Sequence, residues 1–289
     1  MGHEFAGRVL EAPRDSSLVP GQPVMVDPRL YCSSCASCQK GLTHGCEKWG
    51  FLGLSGGGGG LSEVVAVDTA RLHPLPESVD FSVAALLEPL AVAWHAIKRA
   101  EITDLARAGP VLVVGGGPVG VAVVYVLKAW GASQIWVTEP SPTRRERLRG
   151  ITNVVFDPAV DDVVAECRRQ SQGLGVTAAF DCAGSQRGMD SAMASLCFQG
   201  KYINIAVPGE ALILPNGIML LREINMTSSF SYTDEDFQET VAAFVDGKLH
   251  GVETIVTSRI KLQDVVHQGF EQMVENRDQQ LKIVVSPKL

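Results

Sequence analysis

A glycine-rich turn directly after an apolar strand constrains the fold of this chain more than any other feature. The residues Val111–Val114 form a continuous apolar run, and the spacing Gly-x-Gly-x-x-Gly follows before a helical pattern begins. In that context the glycines permit a tight turn and close approach of the backbone to a pyrophosphate, while the helix N-terminus attracts the phosphates. The segment predicts a dinucleotide-binding unit built from Gly115, Gly117, Pro118, Val119 and Gly120.

An acidic residue lies where dinucleotide-binding proteins need one. Glu139 ends the next apolar run, Ile135–Thr138, and stands 19 residues beyond Gly120. A carboxylate about 20 residues after the motif accepts hydrogen bonds from the adenosine ribose and repels a 2′-phosphate, so NAD is favoured over NADP. Arg144 and Arg145 weaken this preference, because a nearby guanidinium can accommodate the phosphate. The alternative interpretation is a glycine turn with an incidental surface glutamate.

Apolar runs alternate with helical patterns from residue 111 to about residue 229, which is typical of a parallel, doubly wound sheet. The predicted strands are Val111–Val114, Ile135–Thr138, Asn153–Phe156, Val176–Asp181, Lys201–Ile205 and Asn225–Ser229. The predicted helices lie near 118–131, 143–149, 160–170, 186–196 and 217–222. After Tyr232 the pattern is helix, strand, helix, strand, and it ends with Lys282–Val285.

The first 80 residues have a different texture, rich in glycine, proline and short β-like runs. Two of these runs, Pro23–Val26 and Glu63–Val67, are predicted strands. The run Gly56–Gly60 is predicted to be a flexible turn before the second of them. A short helix over residues 83–87 and a longer one over residues 89–100 should follow.

Four of the seven cysteines lie on one short segment, at Cys32, Cys35, Cys38 and Cys46. Closely spaced thiolates favour tetrahedral Zn²⁺, and four protein ligands leave no open position, so this site should be structural. An iron–sulfur cluster is the rival interpretation. The seven-residue gap and the absence of proline after Cys46 argue against the bacterial ferredoxin pattern.

Composition and charge argue against several classes of partner. The net charge of −7 disfavours nucleic acid, whose phosphates bind clustered lysine and arginine. No apolar run reaches the roughly 20 residues of a membrane span. Gly2-His3-Glu4 follows Met1 without the features of a signal peptide. This start points to a reducing compartment, so we expect a cytoplasmic protein, in which clustered cysteines bind metal more often than they form disulfides.

These residues together resemble the zinc-containing medium-chain dehydrogenase/reductase family, most closely the fungal butanediol dehydrogenases and next the sorbitol dehydrogenases. The opening Gly2-His3-Glu4-x-x-Gly7, the cysteine segment, the glycine motif and Glu139 occur in the family's order. Further matching segments are Ala84–Ala96, Asn204–Val207, Asp236-Phe237 and Lys282–Pro287.

The resemblance implies an α/β fold in which a Rossmann doubly wound parallel sheet is inserted in a partial GroES-like, β-rich catalytic domain. The implied domains are residues 1–87 with the structural zinc segment, residues 88–235 for NAD binding, and residues 236–289 returning to the catalytic domain. The family forms dimers or tetramers, and the last Rossmann strand often lies at the dimer interface. A homodimer or homotetramer is therefore expected.

The resemblance also implies a second, catalytic zinc that polarises the alcohol oxygen during hydride transfer to the nicotinamide. His3 would supply a ligand nitrogen, and Glu4 and Glu88 would act as ligands or hold a zinc-bound water. Glu4 is equally interpretable as a carboxylate behind the metal shell or on the surface. His95 is interpreted as a packed interior histidine in preference to a proton relay.

The family places a cysteine ligand before Gly-His-Glu, and this chain has none there. We therefore expect an N-terminally truncated chain, an incomplete catalytic site, weak or absent activity and a frayed end at His3.

The function expected from the resemblance is NAD-dependent oxidation of a secondary alcohol or vicinal diol, of the 2,3-butanediol/acetoin type, or reduction of the ketone. A sorbitol or polyol dehydrogenase and an NAD(H)-binding but catalytically silent protein remain alternatives. A zinc-less quinone or enoyl reductase is disfavoured by the cysteine segment and His3.

Overall fold

The computed structural model describes residues 1–287 and divides the chain into two compact units. Unit 1 contains Met1–Ala91 and the residues from Ser231 onward, and unit 2 contains Val92–Phe230. The divisions at residues 91 and 230 lie within five residues of the expected domain boundaries at 87 and 235. Each unit has its own sheets and core.

Regular structure in the described residues is made of short strands and helices. The strands are β1 Ala6–Arg8, β2 Pro23–Val26, β3 Arg29–Leu30, β4 Gly50–Phe51, β5 Leu72–Pro74, β6 Val111–Val114, β7 Ile135–Thr138, β8 Val154–Phe156, β9 Val176–Asp181, β10 Leu196–Asn204, β11 Asn225–Ser228, β12 Val256–Lys261 and β13 Lys282–Ser286. The α-helices are α1 Ala36–Gln39, α2 Phe81–Ala84, α3 Leu87–Arg99, α4 Pro118–Ala129, α5 Pro142–Arg149, α6 Val163–Gln170, α7 Gln186–Ser195, α8 Asn216–Leu221, α9 Asp234–Val245 and α10 Glu271–Glu275.

Unit 2 is built on a six-stranded sheet in the order β11-β10-β9-β6-β7-β8. Every neighbouring pair is parallel. The chain runs outward from β6 to β8, then crosses over to β9 and runs outward to β11. The order therefore reverses between β6 and β9, and ligands of doubly wound sheets bind in the crevice beyond the strand ends at that point. The predicted parallel, doubly wound sheet is confirmed.

The strands of unit 2 are apolar because both faces of a parallel sheet are covered. All four residues of β6 and of β7 are buried, and helix α4 is buried from Gly120 to Leu127. One face packs Trp136, Phe156, Met193 and Tyr202 into a single cluster. Burial on both faces explains why continuous apolar runs predicted these strands.

Unit 1 contains three small sheets. The antiparallel sheet β1-β2-β5 pairs Ala6 with Met25 and Met25 with His73, and strands β12 and β13 pair in parallel. The fully buried Arg29 donates to the carboxylates of Asp27 and Asp234 at 2.6 Å each. This ion network ties β3 to the start of α9, 205 residues later, and so joins the two stretches of unit 1.

Three local predictions in unit 1 are wrong. Residues 63–67 form no strand in the described structure, and Glu63 and Val64 are exposed. A β-branched run becomes a strand only where it has a partner and a face to bury, and here it has neither. The first short helix is Phe81–Ala84, capped by the carboxylate of Asp80, and not residues 83–87. The second begins at Leu87 and not at residue 89.

One strand of unit 2 also differs from its predicted bounds. Strand β10 begins at Leu196 and not at Lys201, and its pairing with β9 shifts register between these two residues.

The run Gly56–Gly60 is a site of close packing and not the predicted flexible turn. The amides of Gly60 and Leu61 donate to the carbonyl oxygens of Gly2 and Met1 at 2.8 Å. A Cβ on Gly59 would lie 2.5 Å from the oxygen of Met1, so a side chain there would displace the first residues. The expectation of a frayed end at His3 is therefore wrong, because two backbone hydrogen bonds hold residues 1 and 2.

One stretch of the described chain, Phe81–Arg99, has the length and mean hydropathy, 1.2, of a membrane span. Of this stretch 67% is buried inside the protein. Such burial is typical of a core helix.

Candidate functional site

The glycine turn in unit 2 adopts the shape that a phosphate group needs. Gly115 has a left-handed φ of 95°, and its N–H donates to the carbonyl of Thr138 at 2.8 Å. A Cβ on Gly120 would lie 1.9 Å from the oxygen of Gly115, so no other residue can stand at that position. Helix α4 begins at Pro118, and its N-cap, Gly117, has no side chain to occupy the N–H groups of the first turn. The turn therefore leaves a concave space, the pyrophosphate cradle, which side chains in place of these glycines would fill.

Glu139 lies at the mouth of this turn. Its side chain is buried, and its two carboxylate oxygens accept hydrogen bonds from the amides of Gly116 and Ser141, each at 2.7 Å. The residue is 3% exposed, which rules out the interpretation as an incidental surface glutamate. A fixed carboxylate beside a glycine turn is the arrangement that recognises a ribose diol.

The two arginines that follow Glu139 have different environments. Arg145 donates to the carbonyl of Pro140 at 2.6 Å and pairs with Asp157 at 2.6 Å, so it is committed to the structure of the unit. A terminal nitrogen of Arg144 lies 3.7 Å from the position that a Cβ on Gly117 would occupy. Arg144 is therefore the cation beside the glycine turn.

In unit 1 the four clustered cysteines bring their sulfur atoms together. The four Sγ atoms all lie within 4.8 Å of one another, at Cys32, Cys35, Cys38 and Cys46. The Sγ of Cys46 is 3.5 Å from that of Cys32 and 3.9 Å from that of Cys35. A tetrahedral Zn²⁺ with Zn–S bonds of about 2.3 Å separates its sulfurs by roughly 3.8 Å. These residues therefore fit a four-thiolate zinc.

The protein prepares thiolates at this cluster. A hydrogen bond from the side chain of Ser34, together with backbone N–H groups, lowers the pKa of Cys32 to about 5. The amide of Cys38 leads the contacts that lower the pKa of Cys35. Burial, and then hydrogen bonds with the neighbouring cysteines, raise the pKa of Cys38 to about 12. A divalent cation bound to the cluster would favour loss of this proton, because the metal binds the thiolate.

A second cluster in unit 1 joins His3, Glu4 and Glu88. One ligand atom from each lies within 4.8 Å of the others. Glu88 is in the first turn of α3 and is buried, whereas His3 and Glu4 are half-buried. Lys282, which the sequence analysis did not single out, donates to the carboxylate of Glu4. Glu4 therefore points into the cluster and is not a surface carboxylate.

The electrostatics of this cluster suit a metal. Burial lowers the pKa of His3, which keeps the imidazole neutral as a ligand must be. Burial, and then the charge of Glu4, raises the pKa of Glu88 to about 8. Two carboxylates and one imidazole supply three donors, the number that catalytic zinc sites take from the protein. The residues present therefore fit a zinc ion with an open position.

Glu88→Gln is expected to stabilise the protein at alkaline pH in the presence of a chelator. Since the folded protein holds a proton on Glu88 up to about pH 8 and the unfolded chain releases it near pH 4.5, stability falls as pH rises through that window. The loss of unfolding free energy amounts to roughly 4–5 kcal/mol at most. Glutamine has no proton to release in this range, so the variant keeps this stability. In thermal melts at pH 5, 7 and 9, the melting temperature of the variant should rise relative to that of the wild type as the pH increases. Equal gains at every pH, or the same trend in the exposed Glu63→Gln, would contradict this.

Comparison with known proteins identifies the family. The alcohol dehydrogenase GroES-like domain profile matches residues 1–77, and the zinc-binding dehydrogenase profile matches residues 118–246. The (R,R)-butanediol dehydrogenase of Neisseria gonorrhoeae is 32% identical over 293 residues, which cover 100% of this chain and 81% of the relative. The chain belongs to the zinc-containing alcohol dehydrogenases.

Two further comparisons agree. The (R,R)-butanediol dehydrogenase of Saccharomyces cerevisiae is 30% identical and covers 99% of this chain and 80% of the relative. The crystal structure of 2R,3R-butanediol dehydrogenase from Bacillus subtilis has a TM-score of 0.90 at 31% identity, covering 100% of this chain and 80% of that one. The resemblance inferred from the sequence is confirmed, and among zinc-containing alcohol dehydrogenases it extends to bacterial as well as fungal members.

Proposed function

We propose that this protein transfers a hydride between a secondary alcohol or vicinal diol, of the 2,3-butanediol/acetoin type, and NAD. Oxidation of the alcohol yields the ketone, NADH and a proton, and the reverse reaction reduces the ketone. The substrate class rests on the likeness to butanediol dehydrogenases at 30–32% identity over nearly the whole chain. A polyol such as sorbitol is the alternative substrate.

The observation that carries the proposal is the buried carboxylate of Glu139, fixed 2.7 Å from the amide of Gly116. Glu139 would accept the adenosine ribose hydroxyls, and its charge would repel a 2′-phosphate. Gly115, Gly117, Pro118, Val119 and Gly120 would hold the pyrophosphate through their backbone. Arg144 would add a positive charge beside the phosphates. This arrangement favours NAD over NADP.

His3, Glu4 and Glu88 are the residues that would hold the catalytic zinc. Zinc bound there would supply Lewis-acid polarisation of the alcohol oxygen. His3 would bind as the neutral imidazole that its lowered pKa favours. Glu88 would lose its proton when the cation arrives, because the charge that burial disfavours is then balanced. Lys282 would hold Glu4 in place through their ion pair.

The cysteine cluster would hold a second, structural zinc, because four protein ligands leave no position for a substrate. The cytoplasm is the proposed compartment, because clustered cysteines in a reducing compartment bind metal more often than they form disulfides.

The test is a turnover assay of the purified, zinc-loaded chain with NAD and a panel of alcohols. We expect NADH formation from 2,3-butanediol at least about tenfold faster than from sorbitol, because a pocket that fits the smaller diol leaves the further hydroxyls of sorbitol without hydrogen-bond partners. Glu88→Ala should abolish turnover and leave NADH binding intact.

Each other outcome identifies a different function. Faster turnover of sorbitol would support the polyol alternative. NADH binding without turnover of any alcohol or ketone, in protein shown to contain two zinc ions, would support the catalytically silent alternative. Turnover that persists in Glu88→Ala would contradict the assignment of the metal cluster.

We also propose that two copies of the chain pair through strand β11. This strand ends the sheet of unit 2 and has only β10 beside it among the described residues. Three apolar side chains on or before it are exposed, at Leu220, Leu221 and Met226. An edge strand beside apolar surface is a template for pairing with a second strand.

Met226→Lys with Leu221→Lys is therefore expected to convert a dimer into a monomer. Charge on an interface that must lose water is costly, and the same charge on open surface is not. Analytical ultracentrifugation measures the change. Val160→Lys, at a residue 81% exposed in the same unit, is the control and should leave the dimer intact. A wild-type monomer at micromolar concentration would overturn the proposal.

A further inference from the structure

A fully buried carboxylate lies at the carboxyl end of β9 in unit 2. Asp181 is 0% exposed, and its side chain would be costly to bury without partners. Its Oδ2 accepts the hydroxyl of the equally buried Tyr202 at 2.5 Å. Its Oδ1 accepts the amides of Ala183 at 2.9 Å and Gly184 at 3.0 Å. The carboxylate thus fixes the loop that follows β9.

The same residue also fixes the next loop. The main-chain oxygen of Asp181 accepts the amides of Ile205 at 3.0 Å and Ala206 at 3.1 Å, the first residues beyond β10. The two loops touch, because a Cβ on Gly184 would lie 3.0 Å from that of Ala206. One buried aspartate therefore connects two adjacent loops at the carboxyl edge of the sheet.

The loop after β9 lies against the glycine turn. A Cβ on Gly115 would be 3.3 Å from the Cβ of Ala183. Strands β6 and β9 are the neighbours between which the strand order reverses, so the space beyond their ends is the crevice where a dinucleotide binds in such sheets. The loop held by Asp181 therefore borders that crevice beside the turn.

We propose that Asp181 and Tyr202 are positioning residues for the dinucleotide. The pair holds residues 182–184 in the arrangement that the bound cofactor needs, before the cofactor arrives, while residues 205–206 are bonded to the main-chain oxygen of Asp181. A preformed wall spares the cofactor the cost of ordering the loop after β9, and that saving appears as affinity. The inference rests on the proposed NAD binding, and neither residue contacts the reacting atoms.

The test compares NADH affinity across graded variants by fluorescence titration. Asp181→Ala removes all three side-chain bonds and should weaken NADH binding by about 30-fold. Tyr202→Phe removes one bond and should weaken it by roughly fivefold. Asp181→Asn keeps an acceptor for both amides and can pair with the tyrosine hydroxyl, so binding should return to within about twofold of the wild type.

Ile203→Val is the matched control, because Ile203 is fully buried on the same strand as Tyr202 but has no bond to either loop. It should lower the melting temperature and leave the affinity for NADH unchanged. Hydrogen exchange gives a second measurement without cofactor. The amides of Ala183 and Gly184 should exchange at least about tenfold faster in Asp181→Ala than in Ile203→Val, since only the first loses their acceptor.

The outcomes separate this inference from the proposed function. If the wild type binds NADH and Asp181→Ala or Tyr202→Phe binds it as tightly as Ile203→Val does, the positioning role is overturned and NAD binding stands. If the wild type binds no dinucleotide, both are overturned. If Asp181→Ala does not fold, Tyr202→Phe and Asp181→Asn test the positioning role. An affinity of Tyr202→Phe for NADH equal to that of the wild type then overturns this role.

Discussion

Replacing Gly120 by alanine is expected to weaken NADH binding about 100-fold or more. The added Cβ would stand 1.9 Å from the oxygen and 2.9 Å from the carbonyl carbon of Gly115. Gly115 cannot yield, because its own amide is bonded to Thr138 and its φ is left-handed. The turn must open, and the backbone N–H groups then leave the phosphates. Loss of two charge-assisted hydrogen bonds costs about 3 kcal/mol, so the dissociation constant should rise about 100-fold or more.

A second glycine of unit 2 provides the control for this experiment. Gly217 is in helix α8, and a Cβ there would meet nothing within 4 Å. Gly217→Ala should bind NADH as the wild type does and melt at the same or a slightly higher temperature, because alanine favours a helix by about 1 kcal/mol over glycine. Unchanged NADH affinity in Gly120→Ala would contradict the assignment of the turn as the pyrophosphate cradle.

Replacing Cys46 by serine should remove one zinc ion per chain and destabilise unit 1. Cys46 is buried, its sulfur lies 3.5 Å from that of Cys32 and 3.9 Å from that of Cys35, and it accepts the amides of Cys32 and Lys48 at 3.3 Å. The segment around it has short strands and a four-residue helix, so little else holds it. Binding of structural zinc is coupled to folding of its site, so this segment should lose its order when the zinc is lost.

The measurements are the zinc content of the dialysed protein and its melting temperature. We expect about one zinc fewer than in the wild type and a melting temperature lower by about 10 °C, which for a chain of this size corresponds to a few kcal/mol. Cys197→Ser, which alters a half-buried cysteine outside the cluster, should keep both zinc ions. Equal zinc contents in the two variants would show that the cysteine cluster is not a metal site.

The sheet of unit 2 could be predicted because its signal is local. The strands β6, β7 and β9 have the predicted bounds, since their burial on both faces makes the runs almost continuously apolar, with Thr177 the one polar residue inside β9. Glu139 could be found for the same reason. Its position at the end of one strand and its distance from the glycine motif are both set by the length of a single βαβ unit.

Features that depend on distant partners could not be predicted. The run at residues 63–67 has the composition of a strand, but no neighbouring strand in the described structure pairs with it. Glycine is required at positions 53 and 59 because the backbone of Met1 and Gly2 packs against them and leaves no room for a side chain. Lys282 meets Glu4 across 278 residues of sequence, and no local pattern indicates such a pair.

Asp181 illustrates the same limit inside a correctly predicted strand. The sequence marks it only as the last residue of an apolar run, and Tyr202 as one of several large residues in a later strand. Their hydroxyl–carboxylate bond depends on the parallel register that sets Tyr202 opposite Ala179. The register between β9 and β10 is decided by packing of the whole sheet.

The most direct test of NAD recognition by the glycine turn and Glu139 is a paired titration of the wild type and Glu139→Gln with NADH and with NADPH. The wild type should bind NADH at least about tenfold more tightly than NADPH, because a 2′-phosphate would face a buried carboxylate. In Glu139→Gln the ratio should approach one, through weaker NADH and stronger NADPH binding. A wild type that binds NADPH as tightly as NADH, or a ratio unaffected by the substitution, would contradict the account.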